Sequence, residues 1–526
     1  MNKGKEQTDL QTKEYLGTWT TIYLCLMVAV FSLATNRTMY DLLEVKTKLF
    51  YKLTISYIVG CLILLAAGYF SGQLKKTYKS DLLKKLWLLW TGLLMVDLLV
   101  TPFLVHNISL VLWGVDGRLY GNVFMALLLV VMVLVGYTFR KSVFLEVAVI
   151  ITTIAESILI ILNKYGTDPL KITEGFSNVD SILYMGTLGN IDIISNWLLV
   201  FAPVCLGGLI YSERIGTICG YALSLFMIIG AGIVTEADSF TVGMLAACAF
   251  FWLLCSRKEA LYKRFLGGMF IIYLAFVVLY LIDFRCEFVM LFARRWWLAA
   301  GFYAFLYLCG KLAFGTKREK LFQRTLITVY IMVFVLLTVA FVFVNINPDN
   351  VEGGILSRLI INDSFGNYRG GVWIRICKEW KDTPLLFKIF GYSMGGFMSF
   401  FQTANDEMIA LTDYYYMDAH NEFLQFLVTS GVVGTLSYFG LFVVSIVRGL
   451  TRKTSIGAVA SAVCLVWLVQ GIVNNPMVLT TPYLFIAFGI VMSKDADERE
   501  DKEQKDSVQV TPATPKVFSF DLFHWR

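Results

Sequence analysis

Only 3 His occur in the 526-residue chain, and one of them, His420, stands in Asp418-Ala419-His420-Asn421-Glu422-Phe423-Leu424, where a polar stretch gives way to an apolar one. Asp418 is a suitable helix N-cap, and Phe423, Leu424, Leu427 and Val428 recur at helical spacing, so the pattern predicts a helix with His420 in its first turn. An imidazole with an ordinary pKa near 6.5 can take a proton from a hydroxyl at neutral pH. Free N–H groups at a helix start favour an anion such as a diphosphate. Upstream in the same polar stretch lie Arg358, Arg369 and Arg375, whose guanidinium groups match phosphate oxygens in bidentate fashion. Asn367-Tyr368-Arg369-Gly370-Gly371 would let a ligand approach the backbone closely. The sequence therefore offers a proton acceptor beside an anion-binding patch; a solvated arginine or an interfacial histidine is the plainer alternative at each position.

These residues need a scaffold, and the composition says which kind. The chain is 57% hydrophobic and 16% charged, against about 25% charged in soluble domains. Apolar runs of about 17–25 residues recur almost without pause, each long enough to cross roughly 30 Å of hydrocarbon as a helix. The expectation is an all-α polytopic membrane protein with about 12–14 transmembrane helices and one large extracytoplasmic loop. Residues 1–344 read as an N-terminal membrane domain of about 11 spans, 345–418 as the loop, 419–493 as C-terminal membrane helices, and 494–526 as a charged cytoplasmic tail, expected to be disordered. The first span is read as a retained helix, since no small-residue cleavage site follows a short apolar core.

Orientation comes from the basic residues. Lys75, Lys76, Lys79, Lys84 and Lys85, then Arg140 and Lys141, Arg257 to Arg264, Lys317 to Arg324, and Arg448 to Lys453 fall in alternate connections, which marks that side as cytoplasmic. Arg37, Lys46, Lys48 and Lys52 run against the pattern. The net charge of +6 carries no nucleic-acid reading once it is placed at membrane ends. Trp373, Trp380, Phe387, Phe390 and Phe397 are too many large apolar groups for a solvated tether, so the loop is expected to be ordered. Val372 to Trp380 suits a short helix on the membrane surface, with Arg375 and Glu379 spaced to pair. Asp97, Glu146 and Glu156 are the clear ionisable residues inside spans, either functional or gluing helices together. The 10 Cys show neither metal spacing nor a disulfide framework.

Four stretches together resemble the O-antigen ligase and O-antigen polymerase superfamily, which includes capsule and exopolysaccharide polymerases. They are Arg369-x-x-x-Trp373, Phe390-Gly391-Tyr392-Ser393-Met394-Gly395, His420-Asn421-Glu422-Phe423-Leu424-Gln425 and Gly431-Val432-Val433-Gly434. Gly186-Thr187-Leu188-Gly189-Asn190-Ile191-Asp192 is similar to a stretch these proteins carry at an outer loop, with Asp192 in place of the usual Asn. The resemblance covers roughly residues 186–440. One departure stands out: the family's Ser-Arg near mid-chain is Ser239-Phe240 here.

The resemblance implies a metal-independent, cofactor-free glycosyl transfer at the outer face of a bacterial cytoplasmic membrane. Donor and partner would be an undecaprenyl-diphosphate-linked oligosaccharide in membrane lipid, with a flippase and a chain-length regulator as further partners. His420 would act on the acceptor hydroxyl, with Arg369 and Glu422 beside it as catalytic residues. Arg375, Arg358, Asn421 and Trp373 would bind substrate, and Asn421 or Glu422 would orient His420. Polymerisation of repeat units is the preferred activity; transfer to another acceptor by a ligase, and lipid-linked oligosaccharide flipping, are the alternatives.

Overall fold

The computed structural model describes residues 2–36, 38–70, 81–115, 117–176, 183–314, 318–351, 354–451 and 454–493. Lys75, Lys76 and Lys79, Arg37, Lys317, Arg452 and Lys453, and the 494–526 tail therefore lie outside the described residues.

The protein is an all-α polytopic membrane protein. Its helices are α1 (Asn2–Cys25, prolonged by a π-helical turn to Phe31), α2 (Leu42–Phe70), α3 (Leu82–Leu104), α4 (Asn122–Thr138), α5 (Val143–Lys164), α6 (Ile191–Tyr211), α7 (Ile215–Val234), α8 (Asp238–Cys255), α9 (Glu259–Leu281), α10 (Trp296–Phe314) and α11 (Glu319–Ile346). Beyond them come α12 (Phe365–Asp382), α13 (Leu385–Phe390), α14 (Phe397–Thr412), α15 (Glu422–Thr451), α16 (Ser455–Gln470) and α17 (Thr481–Met492). Among the described residues, 11 helices are long and apolar enough to cross a membrane, and α4, α16 and α17 are shorter apolar helices. A two-stranded hairpin, β1 (Tyr184–Met185) with β2 (Gly189–Asn190), leads into α6.

Burial is uneven along the bundle. The α6 span is 83% buried and that of α11 only 6%, so α6 is the central post and α11 a peripheral helix whose apolar surface suits lipid. Beside α8, α9 and α10 lies an apolar cavity of about 1020 Å³, lined among others by Phe240, Met244, Trp252, Phe276, Trp296 and Tyr330.

The two ends of the bundle differ in chemistry. At one, α3 and α15 are tied by a bidentate pair: Arg448 Nη1 lies 2.8 and 2.7 Å from the two oxygens of Asp81, the residue that caps α3. The described basic groups at Arg140, Lys141, Arg257 and Arg264 share that end. The other end carries the 347–421 loop, whose Val372, Ile376, Phe401, Ala404, Met408 and Ala419 form a small core with Val428 of α15. This changes the reading of α12. Its apolar face is buried against α14 instead of lying on a membrane surface, because Phe397, Phe401, Ala404 and Met408 of α14 present a matching apolar face.

The loop also grips the bundle. α15 is broken at Gly431, whose backbone sits at φ 56°, ψ −163°. A Cβ there would overlap the carbonyl of Ile389. The kink thus makes room for α13, and Tyr392 N donates to Val428 O at 3.0 Å across the join. Gly431→Ala meets both a positive φ and a backbone clash and should lower the yield of monodisperse protein severely. Gly92→Ala in α3, where nothing lies within 4 Å of the new Cβ, should be neutral or stabilising by about 0.5–1 kcal/mol; size-exclusion profiles and thermal unfolding of the two variants in detergent compare them directly.

Candidate functional site

His420 is not in the first turn of α15 but just ahead of it. The helix starts at Glu422, and its cap is Asn421, whose Oδ1 accepts from Phe423 N and Leu424 N at 3.0 Å each. Asp418 is therefore free for another task. Its Oδ1 lies 2.8 Å from His420 Nδ1 and also accepts the His420 backbone N–H at 3.2 Å. Arg118, from the loop before α4, pairs with its other oxygen, and Asn475, between α16 and α17, donates to Oδ1. The carboxylate is 3% exposed. Burial pushes the Asp418 carboxyl upward, but the facing His420 and Arg118 side chains and the hydrogen bonds from His420 outweigh it, and the group is held well below the usual carboxylate range.

The same contact fixes the imidazole. The Asp418 carboxylate faces Nδ1, so Nε2 is the ring nitrogen on the side away from the ion pair. The side chain stays 29% exposed. His420 adopts φ 47°, a left-handed backbone that costs a non-glycine residue about 1–3 kcal/mol and persists only where its surroundings enforce it. Here they do. Trp373 Nε1 donates to Ala419 O at 2.9 Å, and Ala419 N donates to Gln425 Oε1 at 2.9 Å. Asn421 Nδ2 donates to Ile472 O at 2.9 Å, fastening the turn to the end of α16.

The other sequence candidates have separate surroundings. Arg369 Nη2 lies 3.0 Å from Asp192 Oδ2 in the first turn of α6, with the arginine 22% and the aspartate 40% exposed. Residues Gly366 to Tyr368 ahead of it are all left-handed, so the regular part of α12 begins at Arg369. Arg375 is engaged elsewhere: Asp363 at 2.7 Å and Glu407 at 3.1 Å neutralise it, instead of the expected Glu379, because α14 brings Glu407 alongside α12. Arg358 is exposed. Glu422 turns into the bundle, where Tyr438 OH donates to it at 2.7 Å and Trp467 Nε1 at 2.8 Å; both of its carboxylate oxygens are taken up by these α15 and α16 side chains. Asn421 and Trp373 hold the turn. Neither Asn421 nor Glu422, expected to orient His420, is the side chain paired with the imidazole; that partner is Asp418.

Sequence reasoning passed over Arg118 and Asn475. Neither has a local signal, since each reaches Asp418 from a separate connection; Asp418-x-His420 was the one legible hint. The family arginine's position is filled by Phe240, 1% exposed and packed on Gly232. Three arginines lie between α9 and α10: Arg285 pairs with Asp283 at 2.5 Å, and Arg294 and Arg295 are exposed.

Residues 288–439, less than a third of the chain, match the family model described as O-antigen ligase. The match accords with the O-antigen ligase and polymerase superfamily and, at family level, supports polysaccharide-related glycan transfer with a lipid-linked oligosaccharide substrate in a membrane. No curated protein matches the chain.

Because the folded pKa of Asp418 lies below its unfolded value near 4, its contribution to stability is present above that unfolded value and lost as pH falls through the folded one. Arg118→Ala should move the folded pKa back toward the ordinary range. The variant should then unfold at lower temperature than wild type at pH 7, with a gap that narrows below about pH 4. A gap that stays constant across this range would disconnect Arg118 from the ionisation of Asp418.

Proposed function

We propose that this protein is a glycosyl transferase of the bacterial cytoplasmic membrane that polymerises undecaprenyl-diphosphate-linked oligosaccharide repeat units on the extracytoplasmic face. The Asp418–His420 pair carries the reading, since it presents an oriented, partly exposed base at the end of an otherwise apolar bundle. His420 Nε2 takes the proton of an acceptor sugar hydroxyl. That oxygen attacks the anomeric carbon of the donor, forming the new glycosidic bond as the bond to the diphosphate oxygen breaks. The electron pair leaves with undecaprenyl diphosphate, and Arg369 neutralises the charge that builds there. Arg369 suits this better than Arg375, which is already matched by two carboxylates. The apolar cavity of about 1020 Å³ offers hydrocarbon volume for an isoprenoid tail. The basic connections containing Arg140, Arg257 and Arg448 support assigning the loop to the outside. A flippase that delivers donor and a chain-length regulator are the partners this reaction calls for.

Purified protein in nanodiscs, supplied with lipid-diphosphate-linked repeat units from its host, should produce a glycan ladder. His420→Ala should abolish the ladder while the protein keeps its elution profile. Asp418→Asn should retain a ladder formed more slowly, losing part of the roughly 10²- to 10⁴-fold that a well-placed general base supplies. Arg369→Ala should raise the KM for donor. A full ladder from His420→Ala would end the proposal, and release of glycan only onto a non-repeat acceptor would turn it into a ligase.

A further inference from the structure

Glu156 lies in α5, fully buried, and the proposed glycosyl transfer does not use it. Its carboxylate receives the tip of the β1–β2 hairpin. Thr187 N donates to Oε1 at 2.7 Å, and Thr187 Oγ1 lies 2.7 Å from Oε2. Gly186 N donates to Asn163 Oδ1, about two helical turns further along α5, at 2.7 Å. The fit is close: Gly186 has φ 56°, and a Cβ on it would overlap Glu156 Oε1. From the other side, Thr187 Oγ1 contacts Ser32 O at 2.8 Å, and the buried Lys46 donates to Ser32 O at 2.5 Å and to Phe31 O at 2.9 Å. α1, α2 and α5 thus form a polar socket, and the hairpin tip is its plug.

The chain beyond the plug gives the socket a purpose. Asn190 caps α6 by accepting from Asp192 N at 2.9 Å, and the Asp192 carboxylate extends to Arg369. The stretch from Thr187 to Asp192 is short and bonded at both ends, so the seat of the hairpin sets where that carboxylate stands. Arg369 belongs to the loop and has the left-handed run Gly366 to Tyr368 before it, so its guanidinium takes its place from Asp192.

We infer that Glu156 and Thr187 are positioning residues: seated together, they hold the hairpin so that Asp192 aims Arg369 at the donor diphosphate. This rests on the proposed role of Arg369. The socket touches no substrate; it acts through the turn, the start of α6 and the ion pair. An unanchored hairpin would leave the base intact and the cation misplaced, a fault in donor use and not in proton transfer.

The test compares Thr187→Val, which removes the hydroxyl at nearly constant volume, with Thr187→Ser, which keeps it, in full-length protein in nanodiscs. Hydrogen exchange needs no activity: Thr187→Val should speed amide exchange at 187–194 and at 366–372, and Thr187→Ser should not. Unchanged exchange at 366–372 would overturn the inference whatever the protein catalyses. With the glycan-ladder assay, Thr187→Val should raise donor KM about tenfold and leave kcat within about twofold, with Thr187→Ser near wild type. In an Arg369→Ala background Thr187→Val should add nothing; effects that multiply would show that Thr187 acts independently of Arg369. Should Thr187→Val not assemble, Asn163→Ala, which removes the Gly186 acceptor and an exposed contact to Thr167 O at the half-buried end of α5, is read by the same exchange and KM measurements. A wild-type protein without any ladder defeats the proposed function, whereas the exchange result still decides the positioning.

Discussion

A carboxylate that is 3% exposed must be compensated, and Asp418 is compensated from three directions: an imidazole two residues away, a guanidinium from the loop before α4, and an amide between α16 and α17. Removing any of these leaves a buried charge short of partners, which is expensive. That requirement binds the 347–421 loop to the bundle at one defined point. The loop core, the α15 cap and the left-handed turn at His420 are the means by which the point is held. Trp373 is instructive here, since its ring belongs to the loop core while its N–H fixes the carbonyl just before His420.

The bundle serves this end unevenly. α3 and α15 run side by side, tied far from the site by Arg448 and Asp81 and opened near it by the Gly431 kink. Asp97 lies buried on α3 close to Gly434, so this intramembrane carboxyl belongs to the joint between the two helices. Glu422 is likewise interior, bonded to Tyr438 and Trp467. Both ends of α15 are thereby fixed, and a helix fixed at both ends with a break between them gives a rigid platform for the residue that precedes it.

The helices were legible because a span needs a long apolar run, a signal that survives without any knowledge of packing. His420 was legible for a related reason: polar chemistry at the mouth of an apolar helix is scarce in a chain with 3 His. What failed was everything that depends on the path of the backbone between elements. Asp418 and Asn421 are both good caps, and only the reversal at His420 decides that Asn421 takes the role. Arg375 and Glu379 stand at helical pairing distance, yet Asp363 and Glu407 take the arginine through contacts across the loop. Arg118 and Asn475 come from connections that look like spacers. Local periodicity cannot announce a partner supplied by another loop.

Asp192 ties these threads together. In the stretch it occupies, the resemblance leads one to expect Asn, and at mid-chain Phe240 stands where the family's arginine is expected. The two departures have a common electrostatic sense. A neutral amide at 192 would leave Arg369 to other anions, whereas a carboxylate gives it a partner of opposite charge at 3.0 Å. With no arginine at 240, the cation that meets the start of α6 comes from the loop, and a loop side chain carries more conformational entropy than one set in a helix of the bundle. Pairing it with the first turn of the most buried span transfers the rigidity of α6 to Arg369. The pair is partly exposed, so it is worth little as a stabiliser; its value lies in direction. Asp192 meets one nitrogen of a guanidinium that has five N–H donors, so the pair occupies only part of the group.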